Sequence, residues 1–424
     1  MTAYRPFAGL LLLPSSLWIA SCSPATDPTD PVVDEVAAAA TGVVREALVA
    51  NAAITEAPTG FDNLTNGFAT QAQFDAARVL FEDVEQIADG LGPVYNAQSC
   101  RECHQSPVTG AGSQITEFRA GHFDGFSFID HPGGSLINDR AIDASIQERI
   151  AAGQEVRTFR ASLSISGDGF VEAIDSNTLV AIANAQPASM RGQLISVAVF
   201  EAPGNVRTGR FGWKNQQASL LSFAADAYLN EMGITSPLLP TENTSNGASV
   251  AAFDTVADPE DSGVDIAAFA QFMRSLKAPP RDTALAATAS AQRGSALFDS
   301  IGCAVCHVRT INTAPAGTVI NGGAYTVPAA LGDKAIHPFG DFLLHDVGTG
   351  DGIVQNGGQS TRNKVRTAPL WGMRARDRLM HDGLSVSRTD AILRHGNEAS
   401  GPATNFAFLS TSSQNDIINF LNSL

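Results

Sequence analysis

The sequence predicts a mainly α-helical chain built as two similar domains with long loops, the first enlarged by an irregular insertion with short strands. Three observations lead there. A five-residue motif occurs twice, as Cys100-Arg101-Glu102-Cys103-His104 and Cys303-Ala304-Val305-Cys306-His307. A stretch with helical apolar spacing precedes each copy, and a second helix-like stretch follows each, Asp265–Leu276 and Asp416–Leu424. The 424 residues also exceed one ordinary core and suit two or three domains.

Residues 1–21 read as a signal peptide, with Arg5 as its positive charge and Phe7 to Ala20 as its short apolar run. The segment ends Ile19-Ala20-Ser21-Cys22, similar to a bacterial lipobox. That ending makes Cys22 the lipidated start of the mature chain and predicts a membrane-anchored lipoprotein of the periplasm or cell envelope. An ordinary signal peptide that happens to contain a cysteine is the alternative. Residues 22–42 read as a flexible tether, because Ser23 to Asp34 is rich in Pro, Asp, Ser and Thr and has no period. No internal stretch reaches the 18 or so apolar residues of a membrane span. With Lys+Arg 27, Asp+Glu 43 and a formal charge of −16, no nucleic-acid partner is expected. The acidic excess suits basic protein partners met by electrostatic steering.

The first domain is expected over 43–277. Its opening helix is predicted over Phe74 to Ala88, with Val79, Leu80, Val84 and Ile87 as the apolar face. Phe81 lies 19 residues before Cys100, whereas Phe298 lies five before Cys303, so the first copy carries a 14-residue insertion. Residues of about 110–260 form the larger insertion, with strand-like runs such as Ala161 to Ile165. Lys277-Ala278-Pro279-Pro280-Arg281 reads as a stiff linker. The second domain is expected over 284–424, opening with a helix from about Thr283 to Phe298.

Five cysteines occur, and apart from Cys22 all lie in the two motifs. C-x-x-C-H is the attachment signature of c-type haem: two thiols reach two vinyl groups, and the next residue places an imidazole under the iron. A structural zinc site, redox disulfides or plain disulfides would need no His after each pair. Two covalently bound c-type haems are therefore expected, on Cys100, Cys103 and His104 and on Cys303, Cys306 and His307. Helix, haem motif, irregular middle and closing helix is the order of a cytochrome c-like domain. Of the remaining histidines, His122 lies 18 residues after His104 and is the candidate second ligand there, with His131 as competitor. His395, Met380 and Met373 are the candidates for the second iron. His337, His345 and His381 complete the eight.

With these residues placed, the sequence resembles the bacterial di-haem oxidoreductase family (thiol-oxidoreductase-like), related to the di-haem cytochrome c peroxidases and the methylamine-dehydrogenase-maturing di-haem enzymes. The resemblance runs from about residue 58 to the end. It is carried by Gly90–Asn96, Gly167-Asp168-Gly169-Phe170-Val171-Glu172-Ala173-Ile174, Gly209–Lys214, Glu231–Thr235, His337–Phe339 with Leu343–Asp346, Thr367–Gly372, and Leu379–Gly383.

The resemblance implies a six-coordinate C-terminal haem that relays electrons to an N-terminal haem, where peroxide or another oxidant reacts. In the peroxidases a distal ligand, commonly Met, follows the His-Asp-Gly motif by 14 residues; counted from His381, that position here is His395. The resemblance also implies Glu172 as acid and base over the reactive haem, with a pKa raised by burial. It implies Trp371 as inter-haem relay, ahead of Trp213. A Ca2+ ion between the domains is a further candidate, touched by the backbone of Thr367 to Pro369. The implied function is an exported oxidoreductase with peroxidase-like chemistry, taking electrons from a small donor protein of cytochrome c or cupredoxin type and acting on peroxide or an oxidisable substrate. The competing reading is a non-catalytic tethered di-haem electron-transfer protein, with a link to iron uptake as a weaker variant.

Overall fold

A computed structural model describes residues 53–424. The expected signal peptide, the tether, Cys22 and the first ten residues of the expected first domain lie outside the described residues. No helix among the described residues is long and apolar enough to cross a membrane.

Eleven α-helices are described: α1 Gln71–Glu82, α2 Cys100–Cys103, α3 Asp168–Glu172, α4 Ser176–Ala185, α5 Leu220–Met232, α6 Val264–Ser275, α7 Thr283–Ala286, α8 Ala289–Ser300, α9 Arg388–Leu393, α10 Ser400–Phe408 and α11 Thr411–Asn422. Helix accounts for about 33% of the chain and strand for 16%. Helices therefore lead, but the chain holds more strand than a mainly α reading allows. The excess lies in short pairs spread along both halves and in one antiparallel sheet of the insertion. In that sheet Thr116–Phe123 is flanked by Phe128–Asp130, Leu136–Ile137 and Val156–Ala161. The strand expected to begin at Ala161 ends there instead, and residues 162–165 leave the sheet toward the first motif.

Helix α1 starts at Thr70, whose side chain caps the Gln73 N–H while the Gln73 side chain returns the bond. It stops at Glu82, because Asp83 is extended. The expected face was partly misplaced: Phe74, Ala77 and Phe81 are buried and Leu80 packs half-buried on the core, whereas Val79 is 60% exposed. Phe74 and Phe81 meet Phe272 of α6 at ring-centre distances of 5.3 and 4.7 Å. The second half repeats this crossing of opening and closing helices. There α8 meets α11 at Gly294, where a Cβ would lie 1.8 Å from the Asp416 carbonyl oxygen. The expected helix from Thr283 is split, since Thr288 caps a fresh start at Ala289.

Gly294→Leu should therefore force α8 and α11 apart and lower stability by about 3 kcal/mol or more. Guanidinium unfolding would show it as a lower midpoint. An unchanged midpoint would mean that backbone contact at Gly294 is not what sets the crossing.

The two halves share their largest core. It joins Phe74, Phe170 and Phe272 from the first half with Leu331, Phe342 and Trp371 from the second. Thr55–Glu56 also pairs in parallel with Lys334–Ile336. A smaller core, with Phe298, Phe339, Phe406 and Phe420, sits under the second motif. The Lys277–Arg281 segment is tied down at both ends: Ala278 pairs with Pro58 and Gly60, and Arg281 donates to Ser423.

Candidate functional site

The second motif forms a short turn that starts after Gly302, a left-handed residue with φ of 100°. Its Cys303, Cys306 and His307 line one cleft together with His395, Met380 and His381. His395 arrives from just beyond α9, which Ser387 caps through the Asp390 N–H. The His307 and His395 rings lie 6.4 Å apart, centre to centre. A metal bound to both Nε2 atoms at roughly 2 Å each would hold the ring centres about 6 Å apart. Each ring also donates its Nδ1–H to a backbone carbonyl, His307 to Phe339 at 3.0 Å and His395 to Ala391 at 2.7 Å. Those bonds fix the tautomer and leave Nε2 as the ligating atom. Burial holds His307 down to about 4 and lowers His395 as well, so both rings are neutral, as metal ligands must be. These residues fit a haem held from both faces. Met373 and Met380 line the same cleft, but His395 is the side chain that faces His307.

Sequence reasoning gave His345 no role. It is buried beside Cys306, with its Nδ1 3.7 Å from the sulfur. Its ring is held at 2.9 Å by both Asp341 and Glu398. Burial opposes its charge, but these hydrogen bonds outweigh burial and push it up to about 12, so it is an imidazolium. The Leu343–Asp346 segment was the available signal; of its acidic partners Asp341 is only four residues earlier, whereas Glu398 is 53 residues later.

At the first motif, α2 carries Cys100 and Cys103, and His104 follows it. Ser162, just past the end of the sheet, donates to the Cys103 carbonyl. The His104 ring packs 6.3 Å from Phe81. Its buried Nδ1 has no hydrogen-bond partner, and burial lowers the ring to about 4. A neutral buried imidazole next to two thiols fits a haem held from one side.

The structure does not bring His122 to that side. The strand Thr116–Phe123 touches the motif region near its Thr116 end, where Thr116 pairs with Ala161. His122 is six residues further along, roughly 20 Å at the usual strand rise, with its Nδ1 3.4 Å from Gln154. An 18-residue span is long enough to wrap a haem, but here its last seven residues run along the strand that seats His122 on Gln154. His131 is buried, and its Nε2 accepts the Ala151 N–H at 3.1 Å, so that nitrogen is already used.

Between the motifs lie Trp371, Trp213 and Arg376. Pro369 and Arg376 line both the second-motif cleft and a small cavity that also contains Ala111, Leu163 and Trp371. Trp371 packs on Gly167, where a Cβ would lie 2.9 Å from the indole. Trp213 donates to the Ala161 carbonyl at 2.8 Å and meets His381 edge-on. Thr367 to Pro369, the candidate calcium segment, lines the second-motif cleft.

Glu172 requires a correction. It is fully buried, yet its carboxylate accepts from Arg274 Nε at 2.6 Å, Arg274 Nη2 at 2.9 Å, Asn321 at 3.1 Å and the Leu220 N–H at 2.9 Å. Burial works to raise its pKa, but Arg274 outweighs burial and holds it below the ordinary range. The expected raised pKa is reversed, because a buried carboxylate with an arginine partner stays charged. Its neighbour Asp168 is the group that burial pushes up to about 7.

A family model described as "Di-haem oxidoreductase, putative peroxidase" matches residues 138–424. No curated protein matches. Solved structures that are similar include a hydrazine synthase of Kuenenia stuttgartiensis, at 14% identity and TM-score 0.39, covering 99% of this chain and 100% of that one. A MauG-like protein associated with microbial copper homeostasis is similar at 15% identity and TM-score 0.38, covering 89% and 94%.

Proposed function

This chain belongs to the di-haem oxidoreductase family, and we propose that it is an exported, peroxidase-like oxidoreductase with two covalent c-type haems, in which electrons pass from the C-terminal haem to the N-terminal one. One observation carries the reading: the two motifs are built differently. His307 faces His395 across its cleft, whereas among the described residues no second histidine is paired with His104. A site closed on both faces stores and relays electrons. A site held on one face leaves room for a small oxidant.

Bound haem supplies the one-electron redox steps. The chain's own residues do the rest. Backbone carbonyls of Phe339 and Ala391 orient the His307 and His395 imidazoles that would hold this group. The apolar wall of the second cleft, with Phe298, Met373 and Phe406, excludes water from the relay site. Trp371, packed between the two motifs, is the proposed relay. The donor is a small cytochrome c or cupredoxin-type protein, and peroxide or an oxidisable substrate is the other reactant. Cys22 provides the lipid anchor in the periplasm or cell envelope.

Electron paramagnetic resonance of the haem-loaded protein, oxidised and half-reduced, tests this. A high-spin ferric signal that peroxide bleaches is the expected result. Two low-spin signals unmoved by half-reduction or peroxide would replace the enzyme with a tethered electron carrier.

A further inference from the structure

We propose that Glu231, paired with Glu117, carries the proton that accompanies electron arrival at the Cys100–His104 haem, and that a polar cavity behind Arg119 supplies it from solvent. The proposal rests on the two-haem reading above.

Glu231 ends α5 against the segment that leads into the first motif. Its backbone carbonyl accepts the Asn96 and Ala97 N–H groups at 2.7 and 3.0 Å. Its carboxyl accepts from Asn96 Nδ2 at 3.0 Å, and the Glu117 carboxyl lies close enough to act on it. Both carboxyl groups lie near enough to act electrostatically on Cys103. Two half-buried carboxyl groups held this close favour sharing one proton, because like charges side by side away from bulk water repel.

The surroundings decide which group is charged. Arg119 grips Glu117 at 2.6 and 3.1 Å, and Arg160 stands 3.6 Å away. Burial works against the Glu117 charge, yet Arg119 and Arg160 outweigh it and hold Glu117 below the ordinary range. Burial and the Glu117 charge push Glu231 up to about 8. Asp226, on the same helix as Glu231, also faces Arg119 and Glu117 and is pushed up to about 6 by burial. This is a proton store that changes state near neutral pH, beside a redox site, and with no part in the steps described above.

A polar cavity lies against the arginine that holds Glu117 and against Asn230, next to Glu231 in the chain. This cavity of about 300 Å³ is lined by Arg119, Ser135, Asn138, Asn230 and Gln355. Arg119 donates to Ser135 at 3.2 Å, and Arg160 donates to Gln355 at 2.7 Å. The cavity thus touches Arg119 directly and reaches Arg160 through Gln355. One electron would come from the reduced donor protein; one O–H bond of a water in this cavity breaks, its proton forms an O–H bond on the Glu231 carboxylate, and the hydroxide passes to solvent. The net charge of the site is unchanged, which is what makes the electron's arrival less costly in a buried site.

The test is a redox titration of the haem-loaded full chain between about pH 6 and 10. Above about pH 8 the oxidised wild type has lost the shared proton, so its first-haem equilibrium constant should fall tenfold per pH unit, 59 mV for one electron. E231Q should abolish that slope. E117Q should move its onset to lower pH, because the arginines then act on Glu231 alone. Redox-difference infrared spectra of the wild type give a readout that needs no variant: a protonated carboxyl band should appear on reduction and shift in D2O. An E231Q slope equal to wild type, or a wild type with neither slope nor carboxyl band, overturns the proposal. Loss of peroxide response with the slope intact would overturn the enzymatic reading instead.

Discussion

Glu172→Ala is expected to cost about 3–5 kcal/mol of stability, the usual loss when one member of a buried ion pair is removed. Three arginines converge on this carboxylate's neighbourhood. Arg274 grips it through two nitrogens, and Arg207 donates to its backbone carbonyl at 2.8 Å. Arg210 bonds the carbonyls of Val171 and Ile174 beside it. Without Glu172 these cations lose their central counter-charge inside the largest core. The same residue should make the wild type acid-sensitive. Its folded pKa lies below the ordinary value of 4.5, so its contribution is fully present above about that pH and is lost as pH falls through the lower folded value. The gap between wild type and Glu172→Ala in guanidinium unfolding should thus be wide at pH 7 and narrow in acid. A variant with wild-type stability and lost peroxide turnover would restore Glu172 as the proton donor.

Glu172 also shows where sequence reasoning reaches its limit. The motifs and the paired opening and closing helices were legible, because each depends on short spacings that covalent geometry and the helical repeat dictate, whereas the His395 position came from the family resemblance. The Glu172 environment was not. Its partner Arg274 lies 102 residues away, and nothing local marks the pairing. The place of His122 was hidden for a related reason, since chain length bounds what a loop can reach but does not say whether the residues will pair as a strand instead. The apolar face of α1 was misjudged because Val84 and Ile87 lie beyond its end at Glu82 and Val79 points to solvent, while Phe74, Ala77 and Phe81 face the core. The Glu117–Glu231 pair joins a strand to a helix 114 residues later; only Glu231's place in a family-like segment hinted at it.

His395→Met is expected to raise the reduction potential of the C-terminal haem by on the order of 0.1–0.3 V, within the roughly 0.8 V that axial ligands span. A thioether is a poorer donor to ferric iron than an imidazole, so His/Met ligation favours the reduced state. Removing the His395 ring also removes the Nδ1–H bond to Ala391, which sharpens an imidazole's donor strength. Both changes act in the same direction. Potentiometric titration of the haem-loaded variant measures the shift, and His122→Ala is the control, expected to leave both potentials unchanged because its ring lies on Gln154. An unshifted potential in His395→Met would remove His395 as a ligand and return Met380, which lines the same cleft, to candidacy. A shift would have a mechanistic consequence as well. Relay from the C-terminal to the N-terminal haem is downhill only while the donor site has the lower potential. Raising that potential should slow the reduction of the N-terminal site in stopped-flow mixing with reduced donor, while leaving the peroxide response of the half-reduced protein in place.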